Sequence, residues 1–196
     1  MPLTEELLAG FAALPSFGKR ARDRARARFG RTVRIVHRGA AGRALPALGR
    51  GDATFAAPER ADLQRGDTWI EPVEPTPTGR QAFVERLVAL RTELADLDEV
   101  AFAPAPTSPA GPCALWAVAA ARLALPESVR IAARFDVLGT HVAQIALSFG
   151  ADTLEGPITA ERSLPLAGVF RPTETSRPAL EALVRSAGAE PMERTP

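Results

Sequence analysis

Two acidic residues three positions apart, Asp152 and Glu155, close the most patterned stretch of the chain, FDVLGTHVAQIALSFGADTLEGPI from Phe135 to Ile158. Carboxylates in such a turn can bind a sugar hydroxyl or a basic group. The same residues also suit a helix C-cap followed by a solvated acidic loop, with Gly150 supplying the left-handed position. His141 and Gln144 begin the helix that leads into this turn. His37 is the only other histidine, and two distant histidines without a carboxylate motif make no metal site. Gln144 can line a site or pack against a neighbouring strand. Glu71, Glu74 and Arg134 fall at the ends of predicted strands. In a parallel β/α fold those ends carry the reactive groups, although charged strand ends are also commonly just solvated.

Two further features have the residue types for chemistry. Cys113 opens a predicted helix, where the helix dipole can activate a thiolate, but free cysteines are more often small buried hydrophobes. From Lys19 to Arg43 there are ten Lys/Arg and one acid, Asp23. Arg20, Arg24 and Arg28 recur every four residues and so share one helix face. That row could hold phosphate or an acidic partner, or it could be a solvated face. No aromatics interleave with it for base stacking, and nucleic acid is not the expected partner.

The elements that must position these groups follow from pattern. The 196 residues favour one domain, or one domain with a helical extension. Net charge is +1, so nothing pulls the chain as a whole toward nucleic acid or membrane. A single cysteine excludes an internal disulfide and a thiolate-held iron–sulfur cluster, and it fits a reducing cytoplasm. The first residues lack the basic and apolar regions of a signal peptide, and no apolar run reaches membrane-spanning length.

Helices are expected over 3–14 and 18–29, separated by Pro15 and Gly18. Phe17, Ala21, Ala25 and Phe29 form a thin apolar stripe on the second. TVRIV (32–36) reads as a strand, 53–56 as a short one, and TWIEPV (68–73) as another. A helix follows over 80–97 with Phe83, Leu87, Leu90 and Leu94 on one face. The order continues with a strand at 100–105, a nearly all-apolar helix at 113–125, a strand at 128–135, a helix at 139–149 and a last helix at 178–187. From Thr68 onward strand and helix alternate, which predicts βα units on a parallel sheet. The units are too few for a full eight-stranded barrel.

These segments carry a family resemblance. LGTHVAQIALSFGADTLEGPI is similar to the C-terminal signature LG..LAQ.AL.FGADDL.GT of a radical SAM group. That group contains aminofutalosine synthase, dehypoxanthine futalosine cyclase and the deazaflavin-precursor synthases. Leu138, Gly139, Ala143, Gln144, Ala146, Leu147, Phe149, Gly150, Ala151, Asp152, Leu154 and Gly156 match it. AVAAARLALPESVRI (117–131), RQAFVERLVALR (80–91), VAFAPAP (100–106) and TWIEPVEPTPTGR (68–80) resemble further family segments. So do FGKRARDRARARFGRTVRIV (17–36) and, as a worn copy of a Gly-rich strand, LGRGDATFAAPE (48–59). The resemblance touches most of the chain and is nearest to the aminofutalosine synthase branch.

The departures fall where the family does its chemistry. Its CxxxCxxC motif, which holds a [4Fe–4S] cluster and through it SAM, has no counterpart after TVRIV. Only about a dozen residues stand where the family places the cluster loop and several βα units. The glutamate of the Gly-rich strand is Ala53, a Tyr-Gly-His is Glu71-Pro72-Val73, the second aspartate of GADDL is Thr153, and GT is Gly156-Pro157.

The resemblance therefore implies an α/β fold, a truncated or partial (β/α) barrel of radical SAM type over 31–196, with an N-terminal helical extension over 1–30. No catalytic residue, metal, cluster or SAM is expected. Two functions fit. One is an accessory or scaffold subunit in menaquinone synthesis, as a homo-oligomer or with a full-length homologue. The other is a small-molecule binder or repurposed enzyme using Glu71, Glu74, Arg134, Gln144, Asp152 and Glu155 at a residual barrel mouth. Arg20, Arg24 and Arg28 are the candidate surface for a partner or phosphate.

Overall fold

An apolar helix that leaves no face to solvent needs neighbours on every side, and the chain builds them around residues 111–124. The computed structural model describes residues 2–40, 46–50, 53–56, 63–97, 99–160, 162–163, 170–171 and 174–192. Helices α1 (Leu3–Ala9) and α2 (Leu14–Phe29) come first, then β1 (Thr32–His37), β2 (Ala47–Arg50) and β3 (Ala53–Ala56). The alternating part is β4 (Thr68–Val73), α3 (Pro77–Glu93), β5 (Ala101–Pro106), α4 (Gly111–Ala124), β6 (Arg130–Arg134), α5 (Phe135–Leu138), α6 (Thr140–Ala146) and β7 (Thr153–Gly156). The chain closes with the short pair β8 (Arg162–Ser163) and β9 (Phe170–Arg171), α7 (Arg177–Ser186) and β10 (Glu190–Pro191).

The main sheet runs β10-β1-β7-β6-β5-β4-β2-β3. β4, β5, β6, β7 and β1 are parallel neighbours in that order, β10 adds to β1 in parallel, and the β2–β3 hairpin joins β4 antiparallel. The sheet curls into a half barrel. β1 therefore lies beside β7, the last of the βα strands, as the first and last strands of a closed barrel do. At the other edge the hairpin takes the place of any further parallel strand.

Alternation splits the sheet into two unequal cores. Outward residues such as Val33, Ile35, Trp69, Val73, Phe102, Ile131 and Leu154 join the helices in a large apolar cluster around Trp116. The inner face holds Ala47, Ile70, Ala101, Ala103, Ala105 and Ala132, with Val137 against them. Apart from Ile70 these inner-face side chains are alanines.

Local chemistry sets the helix boundaries. Thr76 caps α3 by accepting from the Gly79 N–H at 2.9 Å, and Pro77 occupies the first turn, where its missing N–H costs nothing. The same rule corrects the expected break at Pro15: the proline lies in the first turn of α2, which starts at Leu14. Gly18 is inside that helix because a side chain there would meet the Phe149 ring. The expected helix at 139–149 is α6 plus a 3-10 turn at Leu147–Phe149, ended by Gly150 at φ 98°. α1 and α2 pack into the helical layer: the Trp116 indole N–H donates to the Leu7 carbonyl at 2.8 Å, and Phe17, Ala21 and Ala25 are buried.

Candidate functional site

The half barrel places one charged cluster on its inner face. Strand register sets Arg134 of β6 beside Glu155 of β7. Arg134 Nη1 donates to Glu155 Oε1 at 2.8 Å, and both side chains are essentially inaccessible. Thr68 Oγ1 donates to Glu155 Oε2 at 2.7 Å from β4, three strands away. Such a contact spans the curl of the sheet, and strand tilt brings residues at different heights together. Arg38, just past β1, sets its Nε 3.7 Å from the same carboxylate. The remaining Arg134 donors reach Asp136, at 3.1 and 2.9 Å, and the Gly39 carbonyl at 2.7 Å.

Glu155 is thus held by two guanidiniums and a hydroxyl. Burial still pushes its carboxyl upward, with Arg134, Thr68 and Arg38 opposing. Arg134 spends its donors inside the protein. The arrangement ties β4, β6, β7 and the segment after β1 together, although the buried Arg38 Nε makes no hydrogen bond.

The other sequence candidates lie elsewhere, and Asp152 and Glu155 do not share a site. Asp152 faces the opposite end of the sheet. It pairs with Arg122 of α4 and with Arg130 at 3.2 Å, and accepts from the Ile131 N–H at 3.2 Å. Arg122 also donates to the carbonyls of Gly150 at 2.9 Å and Val129 at 3.1 Å. The segment after Gly150 is therefore a buried strand and its lead-in, and the solvated acidic loop expected there is absent. Sequence pattern missed it because TLEG is short and its carboxylate points inward.

Glu71 faces outward toward α3, away from the inner face. It accepts from the Trp69 indole N–H at 2.6 Å, with Arg86 3.9 Å away, and burial raises its carboxyl. With exposed Glu74 it borders a recess of about 310 Å³ over α3. Gln144 joins α6 to α7 through Ser186 Oγ at 2.6 Å. His141 is exposed, while His37 Nδ1 accepts from the Ile158 N–H at 3.0 Å. Cys113 is buried, and its thiol is pushed up by that burial. Among the described residues no group of three His, Cys, Asp or Glu could hold a metal ion.

The arginine row also divides. Arg20 is exposed and pairs with Glu6, Arg24 Nη1 donates to the Leu123 carbonyl at 2.6 Å at the end of α4, and Arg28 is exposed beside Phe29. The residues sequence reasoning missed are Arg38, Thr68 and Arg122. The first had a signal, since Arg34, Val36 and Arg38 alternate onto one face of β1. Arg122 is a lone charge in an apolar helix, which calls for a buried partner.

A cavity of about 420 Å³ opens at the ends of the parallel strands, bordered by Thr107, Ser108, Gly111, Val137, Gly139 and Val142. None of the candidates from sequence lines it. No helix among the described residues is long and apolar enough to cross a membrane. No protein-family model matches the chain, and no curated protein matches it either.

Proposed function

We propose that the chain is a shortened, cluster-less relative of the radical SAM barrel enzymes, serving as a non-catalytic accessory or scaffold subunit beside a full-length homologue, in menaquinone synthesis. The observation that carries this reading is the place of β1. It pairs with β7 as in barrel closure, yet the next strands in the chain form an antiparallel hairpin. That is the topology expected when the middle βα units of a barrel are removed and the rest is kept. Most inner-face charges bind one another, Arg134 with Glu155 and Asp136 above all, which fits a scaffold better than a catalyst. β3 ends the sheet, and a sheet edge is a surface that another chain can cover.

Co-expression with a full-length aminofutalosine synthase tests the proposal. The two chains should co-elute at micromolar concentration, and the purified subunit should carry neither iron nor sulfide. A strictly monomeric protein that captures no such enzyme would remove the accessory role. The cavity of about 420 Å³ favours a second reading, small-molecule binding at the barrel mouth. A ligand at a hundred times its Kd would then add about 2.7 kcal/mol of stability. Thermal scans with futalosine-type nucleosides separate the two readings.

A further inference from the structure

The sheet has a second charged region at the end where its parallel strands begin. A cavity of about 610 Å³ is bordered there by Arg28 and Phe29 at the end of α2, Arg34 of β1, Arg65 before β4, Glu99 before β5, and Ser128 and Arg130 at the start of β6. Four guanidiniums face one carboxylate. Behind this wall Arg122 and Asp152 form a buried pair, so the described lining residues, four arginines and Glu99, sum to three positive charges. The whole chain carries only +1, so the excess is concentrated here.

Arg28, Arg34 and Arg130 are not fully taken up by internal partners. Helix ends collect cations, and Arg24 and Arg122 serve that role by binding the carbonyls of Leu123, Val129 and Gly150. Arg28 has no carboxylate partner among the described residues. Arg34 comes no nearer to Glu99 than 4.0 Å, and its side chain keeps about a third of its surface in solvent. Arg130 gives Asp152 one contact at 3.2 Å and lies 4.3 Å over the Phe29 ring. Glu99 is the one carboxylate among the described residues of the lining. It takes Arg65 in a two-point contact at 2.7 and 2.9 Å from a backbone at φ 58°, a conformation that side-chain-bearing residues rarely adopt.

Planar guanidiniums converging from four segments match the geometry of phosphate oxygens. Phe29 offers no free stacking platform, because Arg122 and Arg130 already sit over its ring. We propose that this cleft binds a small phosphorylated anion of two or more negative charges, such as a pyrophosphate or triphosphate group, with Arg28, Arg34, Arg65 and Arg130 as its ligands and Glu99 as the internal counter-ion it displaces.

Titration calorimetry with inorganic pyrophosphate and triphosphate, at fixed ionic strength, tests the assignment. Saturable binding is expected, at least about tenfold weaker in the Arg28→Ala/Arg65→Ala double variant, whose side chains are exposed. Lys19→Ala, about two and a half turns up α2, should leave the affinity unchanged although it also removes a positive charge. Glu99→Gln should tighten binding, a gain that a fold defect would not produce. Equal affinity in wild type and the double variant, or no heat up to millimolar anion, would overturn the proposal. So would a short RNA that binds through the same arginines and is not displaced by pyrophosphate.

Discussion

The two ends of the parallel strands use arginine in opposite ways. Where the strands finish, Arg134 is fully buried and its donors are divided among Glu155, Asp136 and Gly39. Where they begin, four arginines and Glu99 are among the described residues that line an open cavity. A guanidinium enclosed with its partners becomes part of the architecture, because leaving either member alone would strand a charge in low dielectric. A guanidinium left in solvent contributes little to stability and keeps its donors for something else. In a (β/α) barrel the strand-finish end carries the chemistry. Here the charges at that end bind mainly one another, and the arginine-lined cavity lies at the opposite end.

The strongest way to break this contrast is to remove one member of the buried pair at the strand-finish end. Glu155→Leu leaves Arg134 buried with its main inner-face partner gone, and should cost roughly 3–5 kcal/mol in urea unfolding. The double variant Arg134→Met/Glu155→Leu should recover a large part of that loss, since a buried pair replaced by apolar residues of similar volume is often neutral. If the single variant loses less than about 1 kcal/mol, within the range of exposed pairs, the strand-finish end is no more committed than the open one.

A smaller effect is expected at Asp67, where the closed architecture reaches the β2 hairpin. Arg50 clasps this carboxylate with two donors, at 2.9 and 2.6 Å, and the Gln64 N–H adds a third contact at 2.8 Å. Burial alone would raise Asp67, but these partners outweigh it and its pKa is lowered. A lowered carboxylate adds stability above its unfolded value near 3.8, and that stability is lost as pH falls through the folded value. Asp67→Asn should cost about 2 kcal/mol at neutral pH and less as the buffer approaches pH 3. A loss that does not shrink on acidification would show that the charge is not what holds the hairpin.

These outcomes depend on residues that were unevenly legible in the sequence. The alternation after Thr68 announced the βα units, because helix and strand periodicities are local properties of the chain. A partial (β/α) barrel was expected from the resemblance and from too few units for a closed one, and the curled sheet is consistent with it. β2 was missed, since ALGR has no alternating apolar pattern and takes its place by pairing with β4. β7 was missed for a related reason: four residues, one of them Glu155, do not announce a central strand. Glu71, Arg134 and Glu155 were each singled out, yet nothing local says which face of a strand meets the helices. That choice comes from register and curl, and it sends Glu71 outward and Glu155 inward. Of the basic cleft only Arg28 was singled out, because Arg65 and Arg130 lie far along the chain from it.

Glu71 gives a pH test of opposite sign to that of Asp67. It is buried against Trp69, with Arg86 and Glu93 as its charged neighbours, and burial raises its carboxyl above the ordinary 4.5. A raised carboxylate contributes stability fully below the unfolded value, and that contribution is lost as pH rises through the folded value. Glu71→Gln keeps an acceptor for the Trp69 indole and removes the charge. The variant should be at least as stable as wild type at pH 7, with a gap that narrows toward pH 4. A variant clearly less stable at pH 7 would mean that the Arg86 contact outweighs burial, and that the outward face carries a favourable ion pair after all.

The smallest expected change sharpens the comparison most. Arg28 and Arg65 are exposed, and Arg65 holds its Glu99 contact with about three quarters of its side chain in solvent. Exposed pairs of this kind are screened by salt and pay entropy to hold two long side chains together. Arg28→Ala and Arg65→Ala should therefore each shift the unfolding free energy by less than about 0.5 kcal/mol. The same substitutions should abolish most of the pyrophosphate binding. Stability unchanged and binding lost would separate the two ends of the sheet by use as well as by exposure. A loss above about 1 kcal/mol would mean that the open arginines are structural too, and the contrast between the ends would then be one of solvent access alone.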